Sequence, residues 1–143
     1  MLVRLMYASR AVSGLDQEEV NAILRHSRVN NAKDGVTGAL CLCNQGRLFI
    51  QVLEGGRVAV SRRYGRIAND GRHTEVTLLS FDEISERRFA GWAMGQVNMA
   101  LLNPALILKY SETSTLDPWS VPAKATQAMF EEMIATAAIV GQV

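Results

Sequence analysis

Two hydrogen-bonding side chains stand in rows that are otherwise apolar. Leu2-Val-Arg-Leu-Met-Tyr-Ala-Ser9 and Arg47-Leu-Phe-Ile-Gln-Val-Leu-Glu54 both read as strands, and side chains on a strand alternate between two faces. One face of the first carries Val3, Leu5, Tyr7 and Ser9; one face of the second carries Phe49, Gln51 and Leu53. A buried polar group without a partner costs roughly 1–3 kcal/mol. A glutamine amide alone has up to four hydrogen-bonding positions to satisfy. The pair is therefore either a satisfied core contact or a place where the chain holds a ligand.

Other candidate groups are fewer. Asn30 and Asn31 add two amides at the expected end of the first helix, where turn formation is the ordinary explanation. Ile23 and Ile67 fall on the inner faces of the two helices, as core residues or as two walls of a slot between them. Arg62, Arg63, Arg66 and Arg72 cluster locally and leave room for a small anionic ligand. His26 and His73 lie far apart, and Cys41 and Cys43 match no metal or redox spacing, so no metal site is expected. The two thiols read as small core hydrophobes. No nucleophile elbow, P-loop or dinucleotide glycine pattern is present, which leaves hydrolase chemistry nothing to rest on.

The elements that must position these groups can be read in order. With 143 residues the chain suits one domain with a real core. Its 15 basic and 14 acidic residues argue against a general nucleic-acid binder. No apolar run approaches the roughly 18 residues a membrane helix needs, and no signal-peptide plan opens the chain, so a cytoplasmic setting is expected. After the first strand, Asp16 with Glu19 three residues on is a capping-box variant. It predicts a helix that ends near Asn30-Asn31. Strands follow over Val36–Cys43 and Arg47–Glu54, joined by a hairpin loop at Asn44-Gln45-Gly46 and ended by Gly55-Gly56. A second helix is predicted over Arg57–Asn69, closed by Asp70-Gly71. Thr74–Phe81 makes a fourth strand and Trp92–Met99 a fifth.

The order βαββαββ is the α+β, ferredoxin-like plan with one extra strand. It predicts a five-stranded mixed sheet in which the first and third strands are parallel, adjacent and central, with Tyr7 beside Gln51. The other sheet face, with Leu2, Met6, Leu48, Ile50 and Val52, is too apolar for water and must be covered. Asn103-Pro104 opens a short helix through about Tyr110. A last helix is predicted over Pro122–Val140, with Met129, Met133 and Ala137 on one stripe and Phe130 and Ile134 beside it. Residues 101–143 thus read as a helical extension packed on the sheet, part of the fold and not a separate domain.

These residues also carry a family resemblance. Tyr7-Ala8-Ser9, the run from Asn30 to Leu40, Gln51-Val52-Leu53-Glu54-Gly55, Arg72-His73 and Arg87-Arg88-Phe89-Ala90-Gly91-Trp92-Ala93-Met94 occur in the order and spacing of the BLUF domain. The chain resembles these blue-light sensors using FAD over about Met1 to Ala100. The resemblance implies FAD bound non-covalently between the two helices, its ring end toward Tyr7 and Gln51. It implies Asn31 at the polar edge of the ring and Asn30 at the position that varies in the family. It also implies Ile23 and Ile67 sandwiching the ring, Phe49 in the same pocket, and Lys33, Arg72 and His73 toward the phosphate or adenine end. Light-driven electron and proton transfer from Tyr7 would be followed by rotation or tautomerisation of Gln51, whose amide is both donor and acceptor. Trp92 and Met94 match the switch region that would pass the signal to the tail helices.

The expectation is accordingly a photoreceptor and not an enzyme, ending without an effector domain. It would act through a homodimer or larger homo-oligomer, or through a downstream protein partner. The rival readings are a flavin-binding module without a photocycle and a structural oligomerisation protein. A flavin redox enzyme is the weakest, for want of a second substrate site.

Overall fold

The computed structural model describes residues 1–43, 47–98, 102–136 and 139–140. Among the described residues ten elements follow in order: β1 (Leu2–Ala11), α1 (Gln17–Asp34), β2 (Thr37–Cys43), β3 (Leu48–Gly56), α2 (Arg57–Ala68), β4 (His73–Ile84), β5 (Gly95–Val97), α3 (Pro104–Tyr110), α4 (Ala123–Ala135) and β6 (Ile139–Val140). The expected five-stranded mixed sheet is present, and β6 adds a short sixth strand. The order across the sheet is β4-β1-β3-β2-β5-β6.

β1 and β3 are adjacent and central as expected, but they run antiparallel. The helical crossover through α1 leaves β2 running in the direction of β1, and the β2–β3 hairpin pairing then reverses the chain. Adjacency and a shared face survive this correction, because the register sets Tyr7 directly opposite Gln51. The mixed character of the sheet comes from β5, which is parallel to β2.

Local signals explain most element ends. Asp16 and Glu19 form the reciprocal capping box that starts α1. That helix outruns its expected end at Asn30-Asn31, because Gly35 at φ 68° caps it in the left-handed conformation and donates its N–H to the Asn31 carbonyl. Asn30 and Asn31 are therefore helical residues. Asn103 caps α3 through the Ala105 N–H at 2.9 Å, with Pro104 at the first helical position. The Asn44-Gln45-Gly46 turn lies outside the described residues, as do Met99 and Ala137.

Two expected elements are shorter. β5 covers only Gly95–Val97 because the preceding carbonyls are already engaged. Trp92 O accepts from Gly38 N, Ala93 O from Asn31 Nδ2 and Met94 O from Arg28 Nε. The last helix stops at Ala135, where the Thr136 hydroxyl donates back to the Glu132 carbonyl at 2.9 Å. Ile139–Val140 pairs antiparallel with β5, covering what is otherwise an open sheet edge.

Two apolar clusters sandwich the sheet. Val3, Leu5, Tyr7, Phe49 and Leu53 pack with Val20 and Leu24 of α1 and Val60 of α2. On the other face Met6, Leu48, Ile50 and Val52 pack with Ile107 of α3 and with Met129, Phe130 and Met133 of α4. The tail helices thus cover the face that the sequence leaves too apolar for water.

Candidate functional site

The central strands bring Tyr7 and Gln51 into contact on the α1/α2 face. The Tyr7 hydroxyl donates to Gln51 Oε1 at 2.5 Å. The same amide turns its Nε2 toward Met94 Sδ at 3.3 Å. Tyr7 is 1% exposed, Gln51 6% and Met94 0%, so this chain of contacts is shielded from water. Burial pushes the Tyr7 phenol well above its ordinary value, with smaller contributions from Tyr64 and Asp70. The hydroxyl therefore keeps its proton at neutral pH.

Above the pair lies a cleft with a cavity volume of about 210 Å³. Its walls come from α1 and α2 through Ile23 and Ile67, and its floor from Tyr7, Phe49 and Gln51. Asn30, Asn31, Arg72 and His73 also line it, so nine of the expected residues meet at one place. Lys33, exposed in the last turn of α1, does not line the cleft. Met94 reaches the group through Gln51. Trp92 packs on the opposite cluster, its ring 6.2 Å from that of Phe89.

Asn31 carries an unmet demand. It is 1% exposed, its Nδ2 donates to the Ala93 carbonyl at 2.8 Å, and its Oδ1 is buried without a partner. Rotating the amide cannot help, since it would set two oxygens against each other. Asn30, by contrast, meets His26 Nε2 at 3.1 Å.

The polar side of the cleft brings three of the four clustered arginines and His73 together with Asp70, which the sequence marks only as a helix stop. Asp70 fixes Arg72 through three guanidinium contacts between 2.5 and 3.1 Å. The Arg72 bonds hold the Asp70 carboxyl down at about 2 despite partial burial. Arg63, bonded to Asp34 at 2.9 Å, and Arg66 join Arg72 along the lining. Arg62 does not, although it belongs to the same run. His73 packs against Phe49, the rings tilted by 52° with centroids 4.6 Å apart, and shares a 2.8 Å hydrogen bond with Ser9. Burial lowers its pKa, partly opposed by Asp70, so it favours the neutral ring. His26 and Ser27, three and four residues beyond Ile23, also line the cleft. Helical periodicity from Ile23 is the signal that finds them.

A family comparison decides what these features have in common. The sequence profile of BLUF, described as sensors of blue-light using FAD, matches residues 2–95. The chain belongs to the BLUF family. It is 34% identical over 102 residues to the photoactivated adenylate cyclase subunit beta of Euglena gracilis, a match covering 71% of this chain and 12% of that one. The chain thus spans about an eighth of the length of the curated relatives it matches. Among solved structures it is similar to BlrB, a BLUF protein in its dark state, with a TM-score of 0.77 and 31% identity over 95% of this chain and 96% of that one. It is also similar to the photo-activated state of BlsA, with a TM-score of 0.82 and 26% identity over 100% and 99% of the two chains.

FAD is the chromophore by which BLUF is defined, and the residues present fit it. The cleft offers apolar side chains from both helices, arginines suited to phosphate, and in Asn31 a buried acceptor awaiting a donor. Among the described residues no cluster of acids, histidines or cysteines suits a metal ion. No helix among them is long and apolar enough to cross a membrane.

Proposed function

We propose that this chain is a blue-light photoreceptor whose switch is the hydrogen-bonded set Tyr7–Gln51–Met94. The observation that carries the reading is the Gln51 amide, which accepts from Tyr7 on one side and offers its N–H to a thioether on the other. Bound FAD would supply blue-light absorption and, when excited, an oxidising ring. Tyr7 is the group that yields an electron and its hydroxyl proton and then recovers both. Gln51 is the element with two states. Turning its amide over would set Nε2 against the Tyr7 oxygen and Oε1 against Met94 Sδ. The tyrosine hydroxyl would then have to accept where it had donated.

Within this reading Ile23 and Ile67 flank the ring, Phe49 supports it, and Asn31 Oδ1 accepts from its polar edge. Arg72, with Arg63 and Arg66, faces the phosphate end, and His73 packs between Phe49 and Tyr7. Lys33 is left for a part of the cofactor outside the cleft. Residues 1–100 would form the sensor and 101–143 the extension that carries output, since the profile match stops at residue 95. The relative named as a photoactivated adenylate cyclase carries its matching stretch within a far longer chain. For this chain the output would pass to a downstream protein or to a second copy of itself. No catalytic turnover is assigned to it, because its sequence carries no nucleophile elbow or P-loop on which such chemistry could rest.

Expression with FAD supplied should give a yellow protein. Blue light should give a small, reversible red shift of the flavin band that decays in the dark. A yellow protein without that shift would favour a plain flavin-binding module, and a colourless one a structural role.

A further inference from the structure

The sheet face turned away from the cleft holds a buried ion pair that the photochemical reading leaves unused. Glu54 is wholly buried and stands directly opposite Arg4 in the β1–β3 register. Arg4 Nε and a terminal guanidinium nitrogen each reach Glu54 Oε2 at 2.7 Å. The other donors to this carboxylate are main-chain groups. Phe89 N–H reaches Oε1 at 2.7 Å, and Arg88 N–H lies 3.0 and 3.1 Å from the two oxygens. A buried carboxylate persists only where charge and hydrogen bonds are both supplied. Here they come from a neighbouring strand and from the segment that links β4 to β5.

That segment has two ends with different attachments. Arg88 and Phe89 meet α4: the Phe89 ring is edge-on to Phe130 with centroids 6.4 Å apart, and Arg88 Nε is 3.2 Å from Glu131 Oε1. Met94, at the other end, touches Gln51. It is held from α1 by Arg28 Nε on its own carbonyl and by Asn31 on that of Ala93. Between Arg88 and Met94 the chain has no helix or strand of its own. Without a fixed point it would absorb a displacement in its own backbone.

We propose that Glu54 is a positioning residue for signal output, its carboxylate pinning the Arg88–Phe89 turn to β3 as the pivot through which a displacement of Met94 reaches α4. The proposal rests on the photoreceptor reading above. Glu54→Gln keeps the side-chain size, but removes the charge that Arg4 meets and replaces one acceptor by an N–H donor. It leaves the Tyr7, Gln51 and Met94 contacts in place, since those lie on the other face and are held from α1.

The test is hydrogen exchange across α4 in the FAD-loaded full chain, dark and illuminated, recorded beside the flavin spectrum. Wild type should show a light-induced exchange difference in α4. Glu54→Gln should keep the flavin shift and lose most of that difference, a fall of several-fold. Ile107→Ala removes a core contact in the same cluster but none of the hydrogen bonds that hold the Arg88–Phe89 turn, and should keep the difference. If Glu54→Gln fails to fold, Phe130→Leu with Glu131→Gln releases the same turn from its α4 side and should give the same split. An unchanged α4 difference in Glu54→Gln overturns the proposal. So does an equal loss in Ile107→Ala, or a wild type whose flavin shifts while α4 does not respond. A wild type with no flavin shift overturns the photoreceptor reading and this proposal together, and the spectrum tells that failure from the others.

Discussion

Tyr7 and Gln51 stand directly opposite each other across β1 and β3, the phenolic hydroxyl 2.5 Å from the amide oxygen. The contact joins two neighbouring interior strands of the sheet. Its geometry is set by strand register and not by a flexible loop, which is what a switch with two defined hydrogen-bond arrangements needs.

Tyr7→Phe removes the hydroxyl and Gln51→Leu removes the amide, each with little change in volume. Both variants should bind FAD, because the cleft walls and arginines are untouched, and both should lose the light-induced red shift. Absorption spectra before and after blue light check this. A normal photocycle in either variant would sink the switch assigned to the pair.

Asn31 and Asn30 are adjacent in sequence and unequal in demand. Asn31 holds a buried oxygen with no partner, whereas the Asn30 amide meets His26. If the Asn31 oxygen accepts from the flavin, Asn31→Ala should weaken FAD binding by about 1–3 kcal/mol, or roughly 5- to 150-fold. Asn30→Ala should cost clearly less. Titration of flavin fluorescence into the two variants gives the comparison, and equal losses would remove the special role of Asn31.

Tyr7 also predicts a pH dependence. Its folded pKa is raised above the ordinary value of 10.0, chiefly by burial. The folded chain therefore holds this proton more tightly than the unfolded chain. Its contribution to stability is complete below about pH 10 and is lost as pH rises toward the folded value. Thermal melting of the wild type should decline more steeply above about pH 10 than that of Tyr7→Phe. Parallel alkaline limbs would place the strain elsewhere.

Much of this arrangement was legible in the sequence because period-two alternation and the capping box are local. Those signals locate the first four strands and the first two helices, and the βαββαββ topology assembled from them sets Tyr7 beside Gln51. What failed was non-local. The sense of β1 against β3 follows from counting chain reversals, not from side-chain pattern. β5 was overextended because the carbonyls of Trp92, Ala93 and Met94 are claimed by Gly38, Asn31 and Arg28, partners 54 to 66 residues away. Glu54 and Arg4 were passed over since each, taken alone, reads as an ordinary charged strand residue. Only the register makes them a buried pair.

Gly38 gives the sharpest test of the backbone beneath the site. A methyl built there would lie 1.9 Å from the Val52 carbonyl oxygen and 3.3 Å from the Leu53 Cα, both main-chain atoms that cannot step aside. Its N–H also holds the Trp92 carbonyl at 3.0 Å. Gly38→Ala must therefore part β2 from β3 beside Gln51, at a cost of at least the 1–3 kcal/mol typical of an overpacked core. Gly65, within α2, has nothing within 4 Å of the same methyl, and Gly65→Ala should stabilise by about 0.5–1 kcal/mol through helix propensity. Melting temperatures should move in opposite directions, by about 4 °C per kcal/mol for a chain of this size. If Gly38→Ala melts with the wild type, the close β2–β3 approach at this position is not needed.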